Sequence, residues 1–216
     1  MLDLKTEGIW PCFVYLGISE KSRDSIYQWI ADNLPSVIAE TLTANEMFSP
    51  LPKADLHISL TPTLLLQKHE KQMLKGLVNA VGSNAHFNQL KYERETHLRY
   101  LANTECSELR SSIQPFQLPV GSLSVLGEYL VFELDPSREV TVLYELNEYF
   151  RQTCAFFHQE TYEEKFSAGA KQRVFHCSVC RITASEEDIE KLKKSLENFS
   201  FTFSTPLEVS EIVIVN

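Results

Sequence analysis

Two short stretches of this chain place an imidazole and a hydroxyl two positions apart in apolar surroundings: Leu56-His57-Ile58-Ser59-Leu60 and Phe175-His176-Cys177-Ser178-Val179. If each is a β-strand, positions i and i+2 share a face, so each histidine stands beside its serine while the apolar neighbours turn the other way. A single histidine in an apolar strand is ordinarily a hydrogen-bonded structural residue. With six histidines in the chain, chance gives on the order of 0.05 such pentapeptides, so the repetition is what points to chemistry.

Imidazoles titrate near neutrality, and one of a pair can be neutral while the other is protonated, so base and acid act in one turnover. Cleavage of an RNA linkage needs that set. The ribose 2′-OH is the nucleophile, one histidine takes its proton, and the other protonates the leaving 5′-oxygen. Ser59 and Ser178 would donate to the non-bridging phosphate oxygens as charge builds. The scheme requires no metal and no cofactor; the residues alone leave open which histidine is the base, with His176 the one expected.

Periodicity supplies the elements that must bring the two strands together. Residues 9–18 read as a strand, and Ser19 opens an amphipathic helix to about Ala39 with Ile26, Trp29, Ile30 and Leu34 at helical spacing. Residues 55–60 alternate like a half-buried strand, and a helix follows over about 63–82. Residues 84–115 mix acidic and basic types, carry a short helical pattern around 88–101, and read as an insertion. The runs 116–126 and 128–134 flank Gly127 as a hairpin. Asp135-Pro136-Ser137 opens a helix over about 138–157. A polar loop leads to the strand 173–182, then a helix over 186–198 and terminal strands at 201–203 and 207–215. The expected fold is α+β: two pseudo-symmetric lobes, each an antiparallel sheet with outer helices, facing a central cleft. A single domain would span 1–216.

Composition sets bounds on partners. The chain is 44% apolar and long enough to bury a sizeable core. Its longest apolar runs fall far short of the ~20 residues that cross a bilayer, and its first residues lack a signal pattern, so a soluble, intracellular protein without a membrane partner is expected. Five cysteines in no regular framework (Cys12, Cys106, Cys154, Cys177, Cys180) read as free thiols. A formal net charge of −9 argues against coating long nucleic acid, but not against gripping a strand end through a few donors.

The paired H-x-S strands, one per half of the chain, resemble the two-histidine (2H) phosphoesterase superfamily. Within it the chain is most similar to the U6 small nuclear RNA phosphodiesterases, through Trp10 and Val14-Tyr15 in the opening strand, LHISL, EYLVFELD and FHCSV. The resemblance implies catalysis by His57 and His176, with Ser59 and Ser178 on the phosphate. The substrate would be the single-stranded 3′ end of U6 RNA or oligo-U, trimmed from 3′ to 5′ by a nuclear, monomeric protein. The first product would be a 2′,3′-cyclic phosphate, which some members of the family open further. The family stacks the terminal base on an aromatic ring shortly before the second motif, where Tyr162 or Phe166 would serve; Tyr15, beside the first motif, is a further candidate.

Other readings weigh less. Cys154, His158, His176, Cys177 and Cys180 would be the ligands of a zinc site. However, Cys177 and Cys180, three apart on a strand, are expected to face opposite ways. Neither serine sits on the Gly-flanked elbow of a serine nucleophile. Two alternatives stay open: a catalytically idle RNA-binding or assembly protein on the same fold, and a phosphodiesterase confined to small or tRNA-derived cyclic phosphates.

Overall fold

Strand β1 (Ile9–Ile18) organises the molecule, because both of its edges and both of its ends are used. In this computed structural model the described residues are 8–41, 48–83, 109–135, 141–162, 164 and 174–215. β1 leads into helix α1 (Glu20–Thr41), strand β2 (Phe48–Pro50), a single 3-10 turn (Lys53–Asp55) and strand β3 (His57–Ser59). Strand β4 (Leu64–Gln67) and helix α2 (Lys68–Ser83) follow. Beyond them come β5 (Leu109–Leu118), β6 (Val120–Leu126), β7 (Tyr129–Leu134) and helix α3 (Thr141–Phe156). The chain closes with β8 (His176–Ile182), helix α4 (Glu186–Leu196) and β9 (Leu207–Val215).

The architecture is α+β, and the strands join in one nine-stranded antiparallel sheet with the path β5-β9-β1-β3-β8-β7-β6; β2 pairs with β8, and β4 with β1. The two lobes thus share a single sheet, united where β3 meets β8. One face of that sheet is apolar. Val14, Leu16, Ile58, Leu130, Phe132, Cys177, Ile212 and Ile214 all turn to it and are buried in one cluster with Ile26 and Trp29 of α1, Leu74 and Leu77 of α2, Leu146 and Phe150 of α3, and Leu192 of α4. All four described helices therefore cover the same face. Phe132 lies at the centre of an aromatic group, with ring centroids 5.1 Å from Trp29, 5.3 Å from Phe201 and 5.0 Å from Phe203. Burying rings edge to face adds about 0.5–1.5 kcal/mol per pair to the apolar gain.

Several local expectations differ from the structure. Residues 64–67 pair with Cys12 to Ile9 as β4 before α2 starts; a strand partner on β1 outweighs the helical periodicity of the run. The last part of the segment read as an insertion, from Leu109, belongs to β5 and pairs along β9, whereas 84–108, with its helical pattern, lies outside the described residues. Residues 201–203 form no strand; Phe201 and Phe203 instead pack their rings into the core from an irregular segment. The hairpin around Gly127 is present, with φ +58 at that glycine as a tight turn demands. Ser185 caps α4 by accepting from the Asp188 amide at 3.2 Å.

Candidate active site

β3 is three residues long, and its placement depends on neighbours on both sides. Against β1, Tyr15 stands opposite Ser59, Leu16 opposite Ile58 and Gly17 opposite His57. The amides of Leu60 and Thr61 donate to Val14 O at 2.8 and 3.2 Å, and the Val14 amide donates to Thr61 Oγ1 at 3.0 Å, which pins the end of β3. On its other edge Ile58 pairs with Cys177. Because the strands are antiparallel, that one pairing sets His57 opposite Ser178 and Ser59 opposite His176. Ile58 and Cys177 are fully buried on the helix-covered face. The two histidines and two serines, all half-buried, therefore share the opposite face.

Extending the register gives two rows across the sheet on that face. One runs Ser112, Glu211, Gly17, His57, Ser178, Val131, Ser124; the other runs Arg110, Val213, Tyr15, Ser59, His176, Glu133, Ser122. Adjacent members are about 5 Å apart. Tyr15, Val131 and Val213 are buried yet stand apart from the main core cluster, as residues of the other face must.

Each imidazole is held in the same way. His57 Nδ1 lies 2.6 Å from the Asp55 carbonyl oxygen and His176 Nδ1 lies 3.2 Å from that of Val174, in both cases two residues upstream. A carbonyl only accepts, so Nδ1 donates and Nε2 is the nitrogen that exchanges protons. The 3-10 turn closed by the Asp55 amide on Pro52 O (2.8 Å) aims the first carbonyl. The second is set by the start of β8, where the Leu134 amide donates to Phe175 O at 2.9 Å. Burial holds the His57 imidazole below its ordinary pKa, an effect only partly offset by the hydrogen bond to the Asp55 carbonyl. The arrangement holds two imidazoles and two hydroxyls around one point, the set needed to move two protons and bind one tetrahedral anion.

Of the expected aromatic residues, Tyr15 is 7% exposed and its ring centroid lies 4.6 Å from that of His57. Its ring is thus almost closed to solvent and lies against the imidazole. Phe13, two residues earlier on the same face, is half-buried, 5.6 Å from Tyr15 and 5.8 Å from His57. Tyr162 is half-buried just beyond α3, and Phe166 lies outside the described residues. Sequence reasoning missed Phe13, Glu133 and the Gly17–Glu211 pair. Strand alternation from Tyr15 would have found Phe13, but the others need the cross-strand register.

The cysteine reading requires one correction. Cys177 and Cys180 do not face opposite ways: both are buried in the core cluster, because the β7–β8 register shifts between Leu130 and Val131. Burial pushes each thiol up to about 12, against the thiolate form that zinc prefers. Cys12 and Cys154 are buried free thiols as well, and Cys106 lies outside the described residues. His158 is exposed at the end of α3 with φ 54, away from Cys154 in the core. Among the described residues no three His, Cys, Asp or Glu side chains are grouped as a metal site, and no helix is long and apolar enough to cross a membrane.

Comparison with known proteins places this geometry. The solved structure of Escherichia coli LigT complexed with 3′-AMP superposes with a TM-score of 0.52 at 11% identity, over 95% of this chain and 87% of LigT. LigT in apo form gives 0.49 at 14% identity, over 95% and 87%. Kluyveromyces marxianus Usb1 gives 0.46 at 11% identity, over 96% and 93%. The fold of this chain is thus one that LigT complexed with 3′-AMP also has. No curated protein matches by sequence. The HVSL family, described as an uncharacterised conserved protein, matches residues 4–213, nearly the whole chain, and to that family the chain belongs.

Proposed function

We propose that this protein is a metal-independent RNA phosphodiesterase that removes nucleosides from a single-stranded 3′ end. The observation that carries the reading is the Ile58–Cys177 register, which sets each histidine opposite the other motif's serine on one face. His57, and not the expected His176, is the base in this reading, since burial favours its neutral form. Its Nε2 takes the proton of the penultimate 2′-OH, the 2′-oxygen bonds to phosphorus, and the P–O5′ bond breaks. His176 gives its Nε2 proton to the departing 5′-oxygen. Ser59 and Ser178 donate to the non-bridging oxygens. The products are a nucleoside and an RNA ending in a 2′,3′-cyclic phosphate. His57 is left protonated and His176 neutral, the states with which the same pair would activate water and open the ring.

The bound 3′-AMP of LigT, whose fold this chain shares, carries its phosphate on a ribose 3′-oxygen, as an opened product would. The choice of U6 RNA, of terminal uridines and of the nucleus rests on the sequence resemblance. Uridine-tailed RNA incubated with the protein in EDTA should shorten from its 3′ end, and a 2′-deoxy substitution at the penultimate nucleotide should block the cut. His57→Ala or His176→Ala should each reduce the rate at least ~10²-fold. Intact RNA after prolonged incubation with the wild type would leave the idle binding protein as the reading, and cleavage of small cyclic phosphates alone would leave the narrower enzyme.

A further inference from the structure

An approximate two-fold axis through the Ile58–Cys177 pair relates the two halves of the site, yet their flanks differ in charge. The axis equates Gly17, opposite His57, with Glu133, opposite His176. At the β1 position opposite His57, Gly17 supplies no side chain. The space is filled from the next strand by Glu211, whose Cγ and Oε1 lie 2.5 Å from where a Cβ on Gly17 would be. Its carboxylate accepts from Arg110 Nη1 at 2.8 Å, so a half-exposed guanidinium stands on the His57 side.

Opposite His176 stands a carboxylate, Glu133. Glu133 Oε2 accepts from Ser122 Oγ at 3.1 Å and Oε1 accepts from Ser124 Oγ, and among the described residues no cation pairs with it. A carboxylate has about four lone-pair positions, so two serines fix its plane and leave one acceptor position on each oxygen. Such a pair matches vicinal hydroxyls, as carboxylates match ribose hydroxyls in dinucleotide sites. It repels a second phosphate. A 3′ terminus has that chemistry on one side of the scissile phosphate only: the departing nucleoside carries two hydroxyls, whereas the body of the strand carries further phosphates.

We propose that Glu133 reads the substrate's terminus, accepting hydrogen bonds from the 2′- and 3′-hydroxyls of the last ribose and turning away ends that carry a phosphate, while the body of the RNA passes His57 towards Arg110. The inference rests on the phosphodiesterase reading and gives the site a direction: the terminal 5′-oxygen departs beside His176.

The test uses two RNA oligonucleotides of one uridine-tailed sequence, one ending in free 2′,3′-hydroxyls and one in a 3′-phosphate. Cleavage and equilibrium binding are measured for the wild type, Glu133→Gln, and Ser122→Ala with Ser124→Ala, each checked for folding by circular dichroism. The wild type should favour the hydroxyl end by at least about tenfold in kcat/KM, and Glu133→Gln should bring that ratio close to unity. The double serine variant should erode it in part, which keeps the idea testable if Glu133→Gln does not fold. An unchanged ratio in folded Glu133→Gln, or no end preference in the wild type, overturns the proposal while leaving phosphodiesterase activity standing. Conversely, a binding preference that Glu133→Gln abolishes, in a wild type that cleaves neither RNA, upholds end recognition and sinks the enzymatic reading.

Discussion

At the scale of single residues, the two histidines have the same local support. Both donate from Nδ1 to a carbonyl two residues back, and His57 lies against Tyr15 and is desolvated. Desolvation penalises the imidazolium, so the folded-state pKa of His57 lies below its unfolded value. The unfolded chain then binds more protons in the interval between the two values, and stability falls as pH drops from the unfolded imidazole value towards the folded one. Replacing His57 with Gln should flatten that part of the stability profile, measured by urea denaturation at a series of pH values. The same shift keeps His57 neutral to lower pH, as the proposed role of base requires. Tyr15→Ala, which opens the imidazole to water, should therefore move the acid limb of kcat/KM upward, and an imidazole NMR titration should follow it.

At the scale of elements, the site is a property of register. β3 has three residues, too few to be stable by themselves, and its alignment comes from β1 on one edge and β8 on the other. Gly17 is the sensitive point. A methyl group there meets the Glu211 side chain at Cγ, Cδ and Oε1, so that side chain must shift and its hydrogen bond to Arg110 with it. Gly17→Ala should cost about 1–3 kcal/mol as an overpacked site, read as a fall in the urea midpoint. Adding Glu211→Ala should recover most of that loss, and the double-mutant cycle should return a coupling of similar size.

At the scale of the whole molecule, a single core backs both motifs. Trp29, Phe132, Phe201 and Phe203 converge beneath the sheet from three separate parts of the chain. Phe132 belongs to β7, the strand that also carries Glu133 beside His176. Phe132→Ala should cost about 3–5 kcal/mol and lower Tm by roughly 10 °C, within one transition seen alike by far-UV and near-UV dichroism. The net charge of −9 acts at this scale too. RNA affinity should depend only weakly on salt, and Arg110→Gln should reduce the slope of log K against log[salt] by about 0.7, the release expected for one single-strand phosphate contact.

The sequence by itself determined the pairing of an imidazole with a hydroxyl on each strand, because alternation along a strand is local and every i, i+2 pair shares a face. It determined the α+β class for the same reason, since apolar periodicity of two or near four is written residue by residue. It misjudged residues 64–67 and 201–203, where a partner on β1 and a ring cluster around Phe132 outweigh local preference. Only the tertiary structure decided that the two motifs meet through Ile58 and Cys177, that a bulge turns Cys177 and Cys180 to one side, and that Glu133 and Glu211 lie in the rows containing the histidines. Those facts depend on which strands pair and in what register, which long-range packing sets and no short stretch of sequence records.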